Sequence, residues 1–160
     1  AVNAVGKGTT ILTRQDWAGQ FANWPNVKEF PKLPYSGDKR QDEPFHWGTG
    51  PYAGVLGLTF KPKAIFMIGF DLHPLEKDRI NNMYTGSDGY KYIKRPVDPS
   101  YWIYQFHKLM GYSDPDTRWI VVNHDRWEMP KEWSQHGNVY QETYDGMARF
   151  INKQLEKKND

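Results

Sequence analysis

Apolar positions in this chain come as short continuous blocks and as helical stripes, and the two kinds alternate. Residues 64–70, Ala-Ile-Phe-Met-Ile-Gly-Phe, run apolar without interruption between Lys61-Pro62-Lys63 and Asp71. Such a run suits a strand buried on both faces, typical of the middle of a parallel sheet. Trp119-Ile120-Val121-Val122, closed by Asn123, forms a second block, and residues 9–13 a shorter third. Residues 27–30 and 139–140 are weaker candidates.

Helical stripes fall between these strands. Residues 101–110 place Trp102, Phe106 and Leu109 on one face, with Ser100 as the expected N-cap and Gly111 as the residue past the end. Met147, Phe150, Ile151 and Leu155 follow a helical period after Thr143, which can cap them, and residues 153–158 bring the lysines that suit a helix C-terminus. Residues 15–23 predict a short helix capped by Thr13 or Asp16. Residues 52–60 are apolar almost all round and contain Gly54 and Gly57, best explained by close packing against a sheet. Alternating strands and helices predict an α/β fold, Rossmann-like, with a mostly parallel sheet covered by helices on both faces. One domain over residues 1–160 is expected.

Composition narrows the class. At 160 residues with 16% aromatics, the chain can bury one real core and is no disordered segment. A net charge of +2, with both signs interspersed, indicates no nucleic-acid partner. No cysteine is present, so disulfides, thiolate metal sites and thiol nucleophiles are excluded together. No apolar run approaches the ~20 residues that span a bilayer, and the opening residues do not read as a signal peptide. Since Ala1 rather than Met begins the chain, either the Met was removed or the chain is part of a longer protein.

Candidate chemistry concentrates in three places. Gly48-Thr49-Gly50-Pro51 leads into the buried helix, where Thr49 or Gly50 can cap and Pro51 needs no amide partner. A helix start of this kind offers free N–H groups to an anion, although a plain capped start would look the same. It lacks the Gly-Lys-Ser/Thr of a P-loop. Asp71-Leu72-His73 lies at the carboxyl end of the best strand, where open α/β sheets bind ligands; Asp71 can position a hydroxyl or act as a base, or merely cap a turn before Pro74. Residues 72–99 then form a long loop without evident secondary structure, expected to be either a lid or a solvated excursion. It carries Asn81, Asn82, Tyr84 and Tyr90, groups suited to phosphate or sugar recognition. His124 and His136 flank Trp127 and Trp133 and can line a pocket or lie on the surface; His107 is expected to pack. No metal site or cofactor is predicted.

The unit Gly48-Thr49-Gly50-Pro51-Tyr52-Ala53, a buried helix and a strand ending Gly69-Phe70-Asp71 resembles the second half of certain Rossmann-like transferases. In bacterial sialyltransferases a Thr-Ser-Gly-hydrophobic-Tyr turn opens the corresponding helix, which leads to a strand ending Gly-(Ile/Phe)-Asp. Proteins like 6-hydroxymethylpterin diphosphokinase are similar there. In texture the chain also resembles proteins of tailed phages of marine bacteria, through Asp42-Glu43-Pro44-Phe45-His46-Trp47 and the Asn81-Asn82-Met83-Tyr84 loop. The resemblance covers roughly residues 40–125. It implies that Thr49, Gly50 and Tyr52 contact substrate, that Tyr84 and Tyr90 hold nucleotide phosphates, and that His46 stands where the sialyltransferases carry an acceptor-binding Arg.

Two departures qualify it. No His occurs between His73 and His107, where that family places its catalytic His, and the upstream strand with a Gly-Asn-Gly-Pro-Ser-like turn is not found. The chain is therefore expected to lack the first βα unit, as the C-terminal part of a longer transferase-like protein or as a reduced version. The resulting expectation is a domain binding a nucleotide-activated donor, a phage-encoded glycosyltransferase, with Asp71 and His73 catalytic and His46, Thr49, Gly50, Tyr52, Asn81, Asn82, Tyr84 and Tyr90 binding substrate. The alternative is a non-catalytic phage module in a homo-oligomer or virion. Sugar binding by Trp24, Trp127 and Trp133 is a third reading. The expected location is the cytoplasm, of an infected host cell if phage-encoded, with the virion as the other possibility.

Overall fold

A computed structural model describes residues 8–13, 15–31, 47–70, 72 and 99–156. The chain forms two compact units, Ala1–Ser36 and Gly37–Asp160.

In the first unit, β1 (Ile11–Thr13) and β2 (Val27–Glu29) pair in parallel, with Ile11 opposite Val27 and Thr13 opposite Glu29. Parallel pairing needs a crossover, here supplied by α1 (Gln15–Ala18) and a 3-10 turn over Gly19–Phe21. The expected helix over residues 15–23 is thus shorter. It tightens at Gly19, a residue that weakens helices. Asn26 closes the unit, its carbonyl accepting from Ile11 N–H at 2.8 Å and its side-chain amide donating to the Thr9 carbonyl at 3.2 Å.

In the second unit, α2 (Thr49–Thr59), β3 (Ala64–Ile68), α3 (Ser100–Tyr112), β4 (Arg118–Asn123), α4 (Lys131–Ser134), β5 (Val139–Thr143) and α5 (Tyr144–Glu156) follow one another. The three strands form one sheet in sequence order, all parallel. Phe66 lies beside Ile120, and Ile120 beside Tyr140. The class is α/β, as the alternation predicts. The central strand is β4, not the block at residues 64–70. Trp119, Val121 and Val122 are fully buried, whereas Ile68 at the end of β3 is half exposed.

Side chains alternate across a strand, so one contact assigns a whole face. Phe66 meets Phe150 of α5, with ring centres 5.6 Å apart, which puts Phe66 and Ile120 on the α5 side. Trp119 meets Phe106 of α3, with ring centres 6.4 Å apart. Helices α2 and α4 pack on either side of α3 on that same face. Gly54 lets α2 settle there, because a Cβ would stand 2.7 Å from the Leu109 Cδ2 and 3.5 Å from Phe106 and Trp119.

Helix ends correct three sequence readings. Gly48, not Thr49 or Gly50, is the N-cap of α2. Pro99, not Ser100, is the N-cap of α3, without a side-chain cap. Gly111 lies inside α3, which runs on to Tyr112 because Ser113 takes over the capping. The Ser113 N–H donates to the Leu109 and Met110 carbonyls at 3.0 and 3.2 Å, and its hydroxyl donates back to Met110 at 2.7 Å. That hydroxyl also accepts the Trp119 indole N–H at 2.9 Å, tying the helix end to the central strand. Thr143 does cap α5, its hydroxyl accepting the Gly146 N–H at 3.1 Å.

Phe106 is the hub of the core. Its ring takes edge contacts from Phe70, Trp119 and Trp133, with centres 5.0, 6.4 and 5.7 Å away. The Trp133 indole donates to the Ile103 carbonyl at 2.8 Å, so its polar edge is satisfied in the interior. Trp127 and Trp133 are both buried, which removes them as exposed sugar platforms; of that trio only Trp24 keeps appreciable exposure.

Just past the Phe60 C-cap of α2, Lys61 takes φ 48°, a left-handed conformation that favours glycine, and Pro62 follows. Lys61→Gly is expected to raise unfolding free energy by about 1 kcal/mol. Thr143→Ala is expected to lower it by about 1 kcal/mol through loss of the α5 cap. Urea denaturation of the two variants checks both signs.

Candidate functional site

Helix α2 runs back along the sheet, so its first turn stands beside the carboxyl end of β3. There Gly48, Thr49, Gly50, Pro51, Gly69, Phe70, Leu72 and Trp102 line an open cleft of about 530 Å³. Two backbone features shape its floor. Gly69 has φ 80° and ends the strand with a turn other residues resist. Leu72 has φ 50°, a strained conformation for a branched apolar side chain and the kind of outlier that gathers at binding sites.

At the mouth, the first amides of α2 have no intrahelical acceptors. Among the described residues no side chain caps the helix, Pro51 carries no N–H, and the first helical amide bond is Tyr52 N–H to the Gly48 carbonyl at 3.2 Å. The Thr49 and Gly50 N–H groups therefore remain at the positive end of the helix dipole. Gly48 N–H is taken by the Gln105 Oε1 at 3.0 Å. That bond fixes the orientation of the Gln105 amide, and its Nε2, on a residue only 1% exposed, finds no acceptor. Asn123 repeats the arrangement at the end of β4. Its Oδ1 accepts the His124 N–H at 2.9 Å, while its buried Nδ2 has no partner. Asn123 lies one residue past the Ile68–Val122 pair and on the Trp119 face, the side of the sheet that carries α2 and α3.

The partnerless Gln105 and Asn123 nitrogens are buried and outside the cleft lining, while the backbone donors of the α2 start stand at the carboxyl end of β3 beside two aromatic walls, Phe70 and Trp102. Such a set can receive an anionic or carbonyl-rich ligand carrying a flat apolar part. No ionisable side chain is among the described residues lining the cleft.

The sequence-predicted residues divide accordingly. Thr49 and Gly50 stand at the cleft, while Tyr52 turns to Trp47, ring centres 6.4 Å apart, and is not among its lining residues. His46, Asp71, His73, Asn81, Asn82, Tyr84 and Tyr90 lie outside the described residues, as does the 72–99 loop apart from Leu72 and Pro99. Trp102, Gln105 and Asn123 were not anticipated. Gln105 had a signal, being a polar residue beside the apolar stripe of α3, where burial obliges it to have a hydrogen-bonding task. No protein-family model, curated protein or solved structure matches the chain.

The glycines of the turn have a packing explanation of their own. A Cβ on Gly50 would stand 2.6 Å from the Phe70 ring, and one on Gly48 would stand 2.7 Å from the Trp102 indole nitrogen. Gly50→Ala is accordingly expected to push Phe70 off Phe106 and cost about 1–3 kcal/mol. Unchanged stability in thermal or urea unfolding would assign the glycine to ligand access instead.

Proposed function

We propose that this chain is a transferase-like domain that binds a nucleotide-activated donor, and that the group it transfers is a sugar. The observation that carries the reading is the pair of amides, Thr49 and Gly50, which find no acceptor among the described residues and open α2 onto an aromatic-walled cleft at the carboxyl end of a parallel strand. Phosphate oxygens suit those amides, because the helix dipole and the free N–H groups both favour negative charge. Trp102 and Phe70 offer flat surfaces to a base or sugar ring. Catalysis in this reading rests on orientation and on stabilising the leaving phosphate, with Asp71 and His73 acting on the acceptor hydroxyl.

The sequence has no His between His73 and His107, which favours a second reading, a non-catalytic module that binds the same ligand without transforming it. Asp71→Asn separates the two: it abolishes turnover of a nucleotide sugar in the first and leaves ligand binding untouched in both.

Binding itself is tested by titrating ¹⁵N-labelled protein with millimolar UDP, CMP and ADP. The expected result is a shift of the Thr49 and Gly50 amides and of the Trp102 indole N–H by one or more of them. Gln105→Glu, which sets a carboxylate beside the helix start, is expected to weaken that binding about tenfold or more through like-charge repulsion. Spectra unmoved by all three nucleotides overturn the reading.

A further inference from the structure

A second cluster lies along the C-terminal half of α3, built from groups that the proposed binding site does not use. The Nδ1 of His107 is 3.0 Å from the Nε2 of His136 and 2.9 Å from the Glu132 carbonyl oxygen. The two rings meet obliquely, with centres 4.8 Å apart and planes at 45°, rather than end to end. We propose that His107 Nδ1, His136 Nε2 and the Glu132 carbonyl oxygen form a binding site for a late first-row divalent cation, copper(II), nickel(II) or zinc(II).

The spacing matches the chemistry. Metal–imidazole bonds of about 2.0–2.1 Å meeting near a right angle hold their nitrogens about 2.9 Å apart. A carbonyl oxygen at nearly the same distance from one of them completes a triangle of donors on one side of the ion. Imidazole nitrogen is the side-chain donor that copper, nickel and zinc share, whereas magnesium and calcium prefer oxygen sets.

Three elements hold the donors in place. His107 belongs to α3, whose Phe106, Leu109 and Met110 are all buried. Glu132 belongs to α4, which is held to α3 by the Trp133 indole. His136 is fixed by its own N–H to the Trp133 carbonyl at 3.1 Å, and its carbonyl accepts from Val139 N–H, the first residue of β5, at 3.2 Å. Gly111, one turn beyond His107, leaves room for the His136 ring, since a Cβ there would stand 3.3 Å from its Cε1.

An open hollow of about 470 Å³, lined by Gly111, His136, Gly137 and Asn138 among others, lies against the His136 side of the cluster. Among the described residues no three His, Asp or Glu side chains converge on one point. The site is therefore an open, exchangeable one, unlike the closed four-ligand sites that hold structural zinc.

Without metal, the two nitrogens cannot both carry protons toward each other. The arrangement is satisfied when His107 Nδ1–H donates to the Glu132 carbonyl and His136 Nε2 is bare. Metal then ligates His107 Nδ1 in the tautomer that carries the ring proton on Nε2, so the proton moves from one ring nitrogen to the other and the imidazole stays neutral.

The test uses untagged, chelator-stripped protein titrated with Cu²⁺, Ni²⁺ and Zn²⁺ at pH 7.5, followed by calorimetry, and by electron paramagnetic resonance for copper. One equivalent is expected to bind, with a copper spectrum showing two imidazole nitrogens. His107→Gln and His136→Gln should each weaken binding more than about tenfold, whereas His124→Ala, an exposed histidine outside the cluster, should not. A copper spectrum with fewer than two imidazoles, or binding unchanged in either glutamine variant whose circular dichroism matches the parent, overturns the proposal. Absence of binding by all three ions overturns it as well.

Discussion

The packing of other aromatic rings around Phe106 is the constraint on which the second unit depends. This ring, itself on α3, reaches the end of β3 through Phe70, the centre of β4 through Trp119 and the crossover helix α4 through Trp133. Edge-to-face pairs of this kind add about 0.5–1.5 kcal/mol each beyond the area they bury. The three contacts act together, because a close-packed interior allows no one ring to move alone. Two indole N–H groups would be costly in such a core. Each has an acceptor inside it, Ser113 for Trp119 and the Ile103 carbonyl for Trp133.

The cleft inherits its shape from this cluster. Phe70 has one neighbour in the core and another in the first turn of α2, so the ring that closes the core also forms a wall of the cleft. Trp102, one turn before Phe106 on α3, does the same against Gly48. The glycines around Thr49 accordingly follow from ring packing. What points to a ligand is polar: two helix-start amides that find no acceptor among the described residues, opening onto the cleft. The Gln105 and Asn123 amide nitrogens are also buried without partners, outside the cleft lining, and buried donors are nearly always satisfied in folded proteins.

Much of the fold was legible along the chain. The apolar blocks at residues 64–70 and 119–122 became β3 and β4, the stripe of Trp102, Phe106 and Leu109 became the buried face of α3, and Thr143 capped α5. Errors came where local pattern was silent on partners. The block at 64–70 read as the central strand from its unbroken hydrophobicity, but centrality depends on which strands flank it, and β4 has neighbours on both sides. Gly111 read as a helix stop, but Ser113 beyond it could bond two carbonyls and an indole, which carried α3 two residues past the expected end at Met110, to Tyr112. Of the expected site, Thr49 and Gly50 took their places at the cleft. Trp102 joined them from α3, more than 50 residues away in sequence, a distance no local motif spans.

Periodicity, punctuation and composition by themselves determined the α/β class, the parallel pairing implied by strand–helix alternation, and the position of the helix start at Gly48-Thr49-Gly50-Pro51. These are properties of short segments, set by backbone geometry and by which side chains must leave water. Tertiary structure alone decided which strand is central, why the turn needs glycine, which buried amides lack partners, and that His107 and His136 meet. Each of those depends on the approach of segments far apart in the chain, and such approaches are set by the packing of whole faces rather than by any residue's own preference.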